Sequence, residues 1–311
     1  MKQQTIDRSP CAREEGGSAS TASVSSIVVD MDESYEAGEA LGWAARLSRG
    51  LGRDLVAARR WEPGLGEFGP GAHEKAKRQL EKELHEWCVL ARDAEVEPSC
   101  EVVEGPAEAL MDFAERCPAM MVAVGLGLQS TRSPASAEAF ARRVLHNASH
   151  ALALVPIAGA SRPIRRIVVG IENTANSAAL KYWAAMIAEA FDAEVIVVKV
   201  IPFQAEWVAA SDPRSMWGRE RSALVNAWTP ATTAVNPLHR AVDIQVVEGS
   251  DPVESWIKVA HRNHADMFIV CLDAWNYWFN SLRVAPIVRL AREGGLAVLT
   301  IPRLGSADAA R

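Results

Sequence analysis

The sequence predicts an α/β protein built from two tandem copies of one unit, each a parallel five-stranded sheet covered by helices. Three observations carry this. Short β-branched runs alternate with longer amphipathic segments through nearly the whole chain. The runs are almost continuously apolar, as strands are when both faces of a sheet are buried. The second half also repeats the first: IVVD at 27 is matched by IVVG at 167, VVEG at 102 by VVEG at 246, and VP at 155 by IP at 301. A duplicated β-α unit explains such matches directly.

Residues 1–25 mix Ser, Thr, Gly, Arg and Glu without apolar periodicity, so they are expected to form a disordered arm, and residues 304–311 a similar tail. The first unit is expected over 26–157. Its strands are Ile27 to Met31, Leu55 to Trp61, Cys100 to Val103, Met120 to Gly125 and Ala151 to Val155. Its first helix carries Ala37, Ala40, Leu41, Ala44 and Leu47 at helical spacing, with Gly50 and Gly52 as stop signals. The second helix has Ala76, Leu80, Leu84, Trp87 and Ala91 on one face of a charged segment. Pro106 opens the third, striped by Ala107, Leu110, Met111 and Ala114, and a fourth is expected from Ala137 to Ala148.

The second unit, 163–303, follows the same order. Strands are expected at Ile167 to Ile171, Val195 to Ile201, Ile244 to Val247, Met267 to Leu272 and Ala297 to Ile301. Leu180, Trp183, Ala184, Ile187 and Phe191 stripe its first helix, and Asp251 caps a helix that begins at Pro252. The connection from Ala158 to Pro163 is short, which predicts that the halves pack together rather than swing freely.

Composition narrows the function. A formal charge of −6 over 311 residues argues against nucleic acid as the main partner, because phosphate binding relies on a basic face. No apolar run of about 18 residues is present to span a bilayer, and the first residues lack the apolar stretch of a secretory signal. The expectation is a cytoplasmic protein with neither a nucleic-acid nor a membrane partner. Five cysteines, widely spaced and without a CxxC pair, suggest buried thiols rather than a disulfide framework or a zinc site.

The order of strands and helices, with IVV then an acid at the first strand and VP or IP at the close of each half, resembles the universal stress protein family in its tandem two-domain form. The resemblance implies two doubly wound sheets of order 3-2-1-4-5, of the adenine-nucleotide alpha-hydrolase-like type. The ligand crevice of such a sheet lies at the switch point between its first and fourth strands. Nucleotide-binding members carry Gly, two residues, Gly, nine residues, then Gly-Ser or Gly-Thr after the fourth strand. The glycines let backbone amides close around phosphate, and an acid at the end of the first strand meets the ribose.

In that frame the first unit places Gly125, Leu128, Glu138 and Ala139, with Gly127 one position out of register. The second places Cys271, Ala274, Val284 and Ala285. The acids are Asp32 and Glu172. Asp32, Gly125 and Gly127 are therefore the residues of a vestigial nucleotide site, and ATP or AMP is possible in the first unit only; otherwise no cofactor is expected. In the second unit the loop instead carries Trp275, Tyr277, Trp278 and Phe279. Four aromatics in a loop imply packing against something: pocket filler, or, together with Glu172, a surface for an apolar ligand or a protein partner.

Asp30 and Asp32 alternate and so share a side of the strand end, which suits either Mg²⁺ or a helix cap. His146 with His150, and His261 with His264, have spacings compatible with zinc but lack further ligands. No nucleophile elbow, Walker loop or HExxH motif is present, so catalysis has no visible carrier. The resemblance implies a non-enzymatic role in stress adaptation. A nucleotide sensor using the first unit and a nucleotide-hydrolysing or transferring enzyme are the alternatives. It further implies intramolecular pairing through the fifth strands, Ala151 to Val155 and Ala297 to Ile301, with a homodimer possible beyond that.

Overall fold

A computed structural model describes residues 25–32, 34–62, 70–89, 95–127, 150–171, 177–201, 213–228, 242–271 and 285–302. The arm, the tail, the 137–148 helix and the aromatic loop lie outside the described residues. In the first half the strands are β1 (Ser26–Asp30), β2 (Asp54–Trp61), β3 (Ser99–Glu104), β4 (Ala119–Leu126) and β5 (Ala151–Pro156). In the second they are β6 (Arg166–Ile171), β7 (Glu194–Ile201), β8 (Val242–Glu248), β9 (Met267–Cys271) and β10 (Ala297–Ile301). The helices are α1 (Tyr35–Leu51), α2 (Pro70–Trp87), α3 (Ala107–Arg116), α4 (Ile157–Ala160), α5 (Ser177–Phe191), α6 (Pro213–Trp228), α7 (Pro252–Arg262) and α8 (Ala285–Gly294).

All ten strands join one sheet of order β3-β2-β1-β4-β5-β10-β9-β6-β7-β8. Each half has the order 3-2-1-4-5 and is parallel throughout. The halves meet where β5 and β10 run antiparallel, with Leu154 opposite Val298, Ala153 opposite Leu299 and Leu152 opposite Thr300. These are the two strands the family resemblance nominated. Their pairing removes two long apolar edges that would otherwise be open to a second chain. At the seam the fully buried Thr300 hydroxyl donates to the Leu152 carbonyl at 3.0 Å, so its burial leaves no orphan polar group.

Alternation sends successive strand residues to two cores. Ile27 and Val29 face the layer of α1 and α5, and Val28 faces that of α3. The α1–α5 layer is continuous across the seam, from Leu41 and Leu47 of α1 to Leu180, Ala184 and Ile187 of α5. Helix α1 ends at Gly52, whose left-handed φ of 61° closes the last turn, while Gly50 stays inside the helix. Pro106 is the cap preceding α3 rather than its first helical residue. Asp251 caps α7 as expected, accepting from the amides of Val253 and Glu254 and pairing with Arg289 of α8 at 2.5 Å.

The edge strands depart from the expected two-sided burial. Ile244, Val246 and Val247 of β8 are only half-buried and Asp243 is exposed. Only Leu84 of the expected α2 stripe is fully buried among the described residues of that helix. A helix over the outermost strands has sheet beneath only part of it.

The connection between halves is itself built in. It forms α4, and Arg46 of α1 donates to the Ala160 carbonyl at its end. A Cβ on Gly159 would lie 2.9 Å from both the Ala297 amide nitrogen and Leu296 Cα. Because both neighbours are backbone, Gly159→Val is expected to cost about 1–3 kcal/mol by forcing the connection off β10. Urea unfolding monitored by far-UV circular dichroism measures this, and an unchanged midpoint would show that the connection yields freely.

Candidate functional site

The crevice expected to take a ligand lies where β1 and β4 end side by side. Beyond β1 the chain turns at Asp32 into α1. The Asp32 carboxylate accepts from the Ser34 amide at 3.2 Å and from the Ser34 hydroxyl at 2.5 Å. Ser34 Oγ in turn accepts from the Ala37 amide at 3.1 Å and caps α1. Asp32 thus orients the residue that caps the helix, the structural use of an Asp at this place.

Gly125 and Gly127 are where α1 touches β4. A Cβ on Gly125 would overlap the Glu36 carbonyl group and stand 2.8 Å from the Ala37 nitrogen. A Cβ on Gly127 would overlap the Glu36 side chain, 2.5 Å from its Cγ and nearer still to its carboxylate. Here the glycines allow the first turn of a helix to lie against a strand end. Glu36 is buried, and a carboxylate in the first turn of α1 suits the positive end of the helix dipole. A phosphate brought to the Gly127 backbone would meet that carboxylate at close range, a repulsive contact in a poorly solvated crevice.

Asp30 is engaged by an arginine. It is buried and held by a bidentate ion pair, with Arg60 Nε on Oδ1 and Arg60 Nη2 on Oδ2, both at 3.0 Å. Burial pulls the Arg60 guanidinium down, but the charge and hydrogen bonds of Asp30, aided by Asp32 and Glu62, hold it above its ordinary value. No group of three or more His, Cys, Asp or Glu side chains converges on a metal position among the described residues. His146 lies outside them. Burial pulls His150 down, against the pull of Glu115. His261 Nε2 lies 3.1 Å from the Gly294 carbonyl, an engagement with backbone. Glu36 and Arg60 are the residues that sequence reasoning missed. The signal for the second was the Arg59–Arg60 pair closing an otherwise apolar strand.

The second half solves the same position differently. Gly170 stands where the first half has Asp30, and Val200 where it has Arg60, by the registers of β1 on β2 and β6 on β7. The volume of the missing ion pair is taken by aromatics. A Cβ on Gly170 would stand 3.0 Å from Trp256 Cε2 and overlap the edge of Phe268. Those two rings pack 5.4 Å apart at 47°. Trp228 is likewise buried, with the Lys181 ammonium 5.9 Å from its ring. Glu172, Trp275, Tyr277, Trp278 and Phe279 lie outside the described residues.

The model of the universal stress protein family matches the chain twice, over residues 24–156 and 163–271. The second match stops at the last residue before the aromatic loop. Among solved structures, a universal stress protein from Archaeoglobus fulgidus is 13% identical with a TM-score of 0.62, covering 90% of this chain and 98% of that chain. A putative universal stress protein from Pseudomonas aeruginosa is 14% identical with a TM-score of 0.59, covering 90% and 93%. A shorter Archaeoglobus fulgidus universal stress protein, solved in complex with dAMP, is 20% identical with a TM-score of 0.32, covering 42% and 94%. The search of curated proteins found no match. Two matches of the family model in succession, on a sheet that repeats one strand order either side of an antiparallel seam, establish that the chain belongs to the universal stress protein family.

Proposed function

We propose that the chain is a non-enzymatic, cytoplasmic regulatory member of its family whose nucleotide sites have been given over to structural packing. Its two units, 26–157 and 163–303, act as an intramolecular pair that stands in for a dimer. The observation that carries this reading is Glu36. Its buried carboxylate lies against Gly127, at the crevice where a phosphate would have to approach. Glu138 and Ala139 replace the last glycine and the hydroxyl of the family frame in the same half. In the second half Cys271, Ala274 and Val284 leave no glycine at all. Stress adaptation, the family's role, is then exercised through a protein partner or an apolar ligand. The loop of Trp275, Tyr277, Trp278 and Phe279 is the surface most suited to one.

Calorimetric titration of the full chain with ATP and with AMP tests this. The expected result is no saturable heat at micromolar ligand. Heat saturating at one site per chain would overturn the reading and favour a second one, a sensor that binds ATP or AMP in the first unit alone. That alternative draws on Asp32, just beyond β1, and on Gly125 and Gly127 at the end of the neighbouring β4. Under it, Asp32→Ala abolishes the heat.

A further inference from the structure

Two cysteines far from the switch point meet at the outer edge of the first half. Cys88 directly follows α2 and Cys100 is the second residue of the edge strand β3. Their sulfurs lie 2.7 Å apart, though the residues are 12 positions apart in sequence. Both are reduced, Cys88 buried and Cys100 half-buried. Sulfurs at this distance need only a small adjustment to bond, and the pairing joins a helix end to the strand it covers. We propose that Cys88 and Cys100 form a hydroperoxide-reactive dithiol, a site of reversible oxidation that locks the end of α2 onto the edge strand.

The two thiols take different parts. Cys100 is the one that solvent reaches. Its thiol is held down to about 7, first by the hydrogen bond from Cys88, against the opposing effect of burial, and further by His85. A substantial share is therefore thiolate, the nucleophilic form, near neutral pH. The Cys100 thiolate attacks one oxygen of a hydroperoxide and the O–O bond breaks. Cys100 becomes a sulfenic acid, and the leaving alkoxide or hydroxide takes a proton to depart as alcohol or water. The Cys88 sulfur then attacks the Cys100 sulfur. Its S–H proton and the sulfenic hydroxyl leave together as water, and the S–S bond forms. In sum two thiols lose two hydrogens, and the peroxide is reduced to one alcohol and one water. The buried position of Cys88 suits the second step, since a resolving thiol needs access to its neighbour rather than to solvent. The site shares no residue with the switch point, so it stands whether or not nucleotide binds.

The test is a peptide map of the reduced full-length protein after exposure to hydrogen peroxide and blocking of the remaining thiols with N-ethylmaleimide. The expected product is a Cys88–Cys100 linked peptide pair, lighter by two hydrogens, which dithiothreitol returns to the separate peptides. The oxidised protein should also melt at a higher temperature than the reduced one. In Cys88→Ser, dimedone should trap a sulfenic acid at Cys100, whereas Cys100→Ser should leave Cys88 unlabelled. Maleimide on both residues after peroxide, separate over-oxidation without a link, or links to other cysteines would each overturn the proposal. The wild-type map decides the question even where a serine variant fails to fold.

Discussion

Asp30→Ala is expected to destabilise the chain by about 3 kcal/mol, the lower end for breaking a buried pair, because it takes the bidentate partner from the half-buried Arg60 guanidinium, which keeps the weaker pull of Asp32 and Glu62. The loss comes less from the attraction removed than from a partly desolvated charge left with weaker compensation. The second half supplies the control within the same molecule. Gly170 and Val200 occupy the corresponding places, and the space is filled by Trp256 and Phe268, whose counterparts in the first half are the smaller Leu110 and Val122. An apolar solution is thus compatible with this fold. Asp30→Ala combined with Arg60→Val should therefore retain more stability than Asp30→Ala alone, although a cavity beside Leu110 and Val122 keeps the double variant below wild type. A double-mutant cycle in urea reads both numbers. If the two single losses simply added, the ion pair would not be a unit and the account would be wrong.

Gly125→Val has the second large effect, about 3 kcal/mol, near the top of the range for overpacking a core. The new side chain would run into the Glu36 carbonyl and the Ala37 nitrogen, which are backbone of the first turn of α1 and cannot swing aside. Gly127→Ala makes the informative contrast. Its Cβ meets only the Glu36 side chain, which can change rotamer, so its cost should be clearly smaller and should shrink further when Glu36 is also replaced by Ala. Thermal unfolding of the set ranks them. Equal losses at Gly125 and Gly127 would mean that the glycines serve backbone conformation rather than the close approach of α1.

These two predictions divide what was legible in the residues from what was not. The ten strands could be read because a central parallel strand is apolar on both faces, which makes runs such as IVV at 27 and MFIV at 267 conspicuous. The seam could be placed because the family resemblance implies pairing through the fifth strands, and an open apolar edge demands cover. The frame count after β4 singled out Gly125 and Gly127, and at both a Cβ would run into the first turn of α1. It did not show that α1 packs against them. Glycine is needed wherever two backbones come close, and a one-dimensional pattern does not distinguish a phosphate from the first turn of a helix.

Glu36 escaped notice because a first-turn glutamate is commonplace. What sets it apart is burial against a strand almost ninety positions away, and no local signal encodes that. The pairs Asp30–Arg60 and Cys88–Cys100 were invisible for the same reason. Each joins segments that only the β1–β2 register or the packing of α2 on β3 brings together. The residues alone were enough for the class of fold, the duplication, the strand order through family resemblance and the departure of both loops from the glycine frame. Only the folded chain shows which side chains meet at the strand ends, because that depends on three-dimensional proximity rather than on periodicity along the chain.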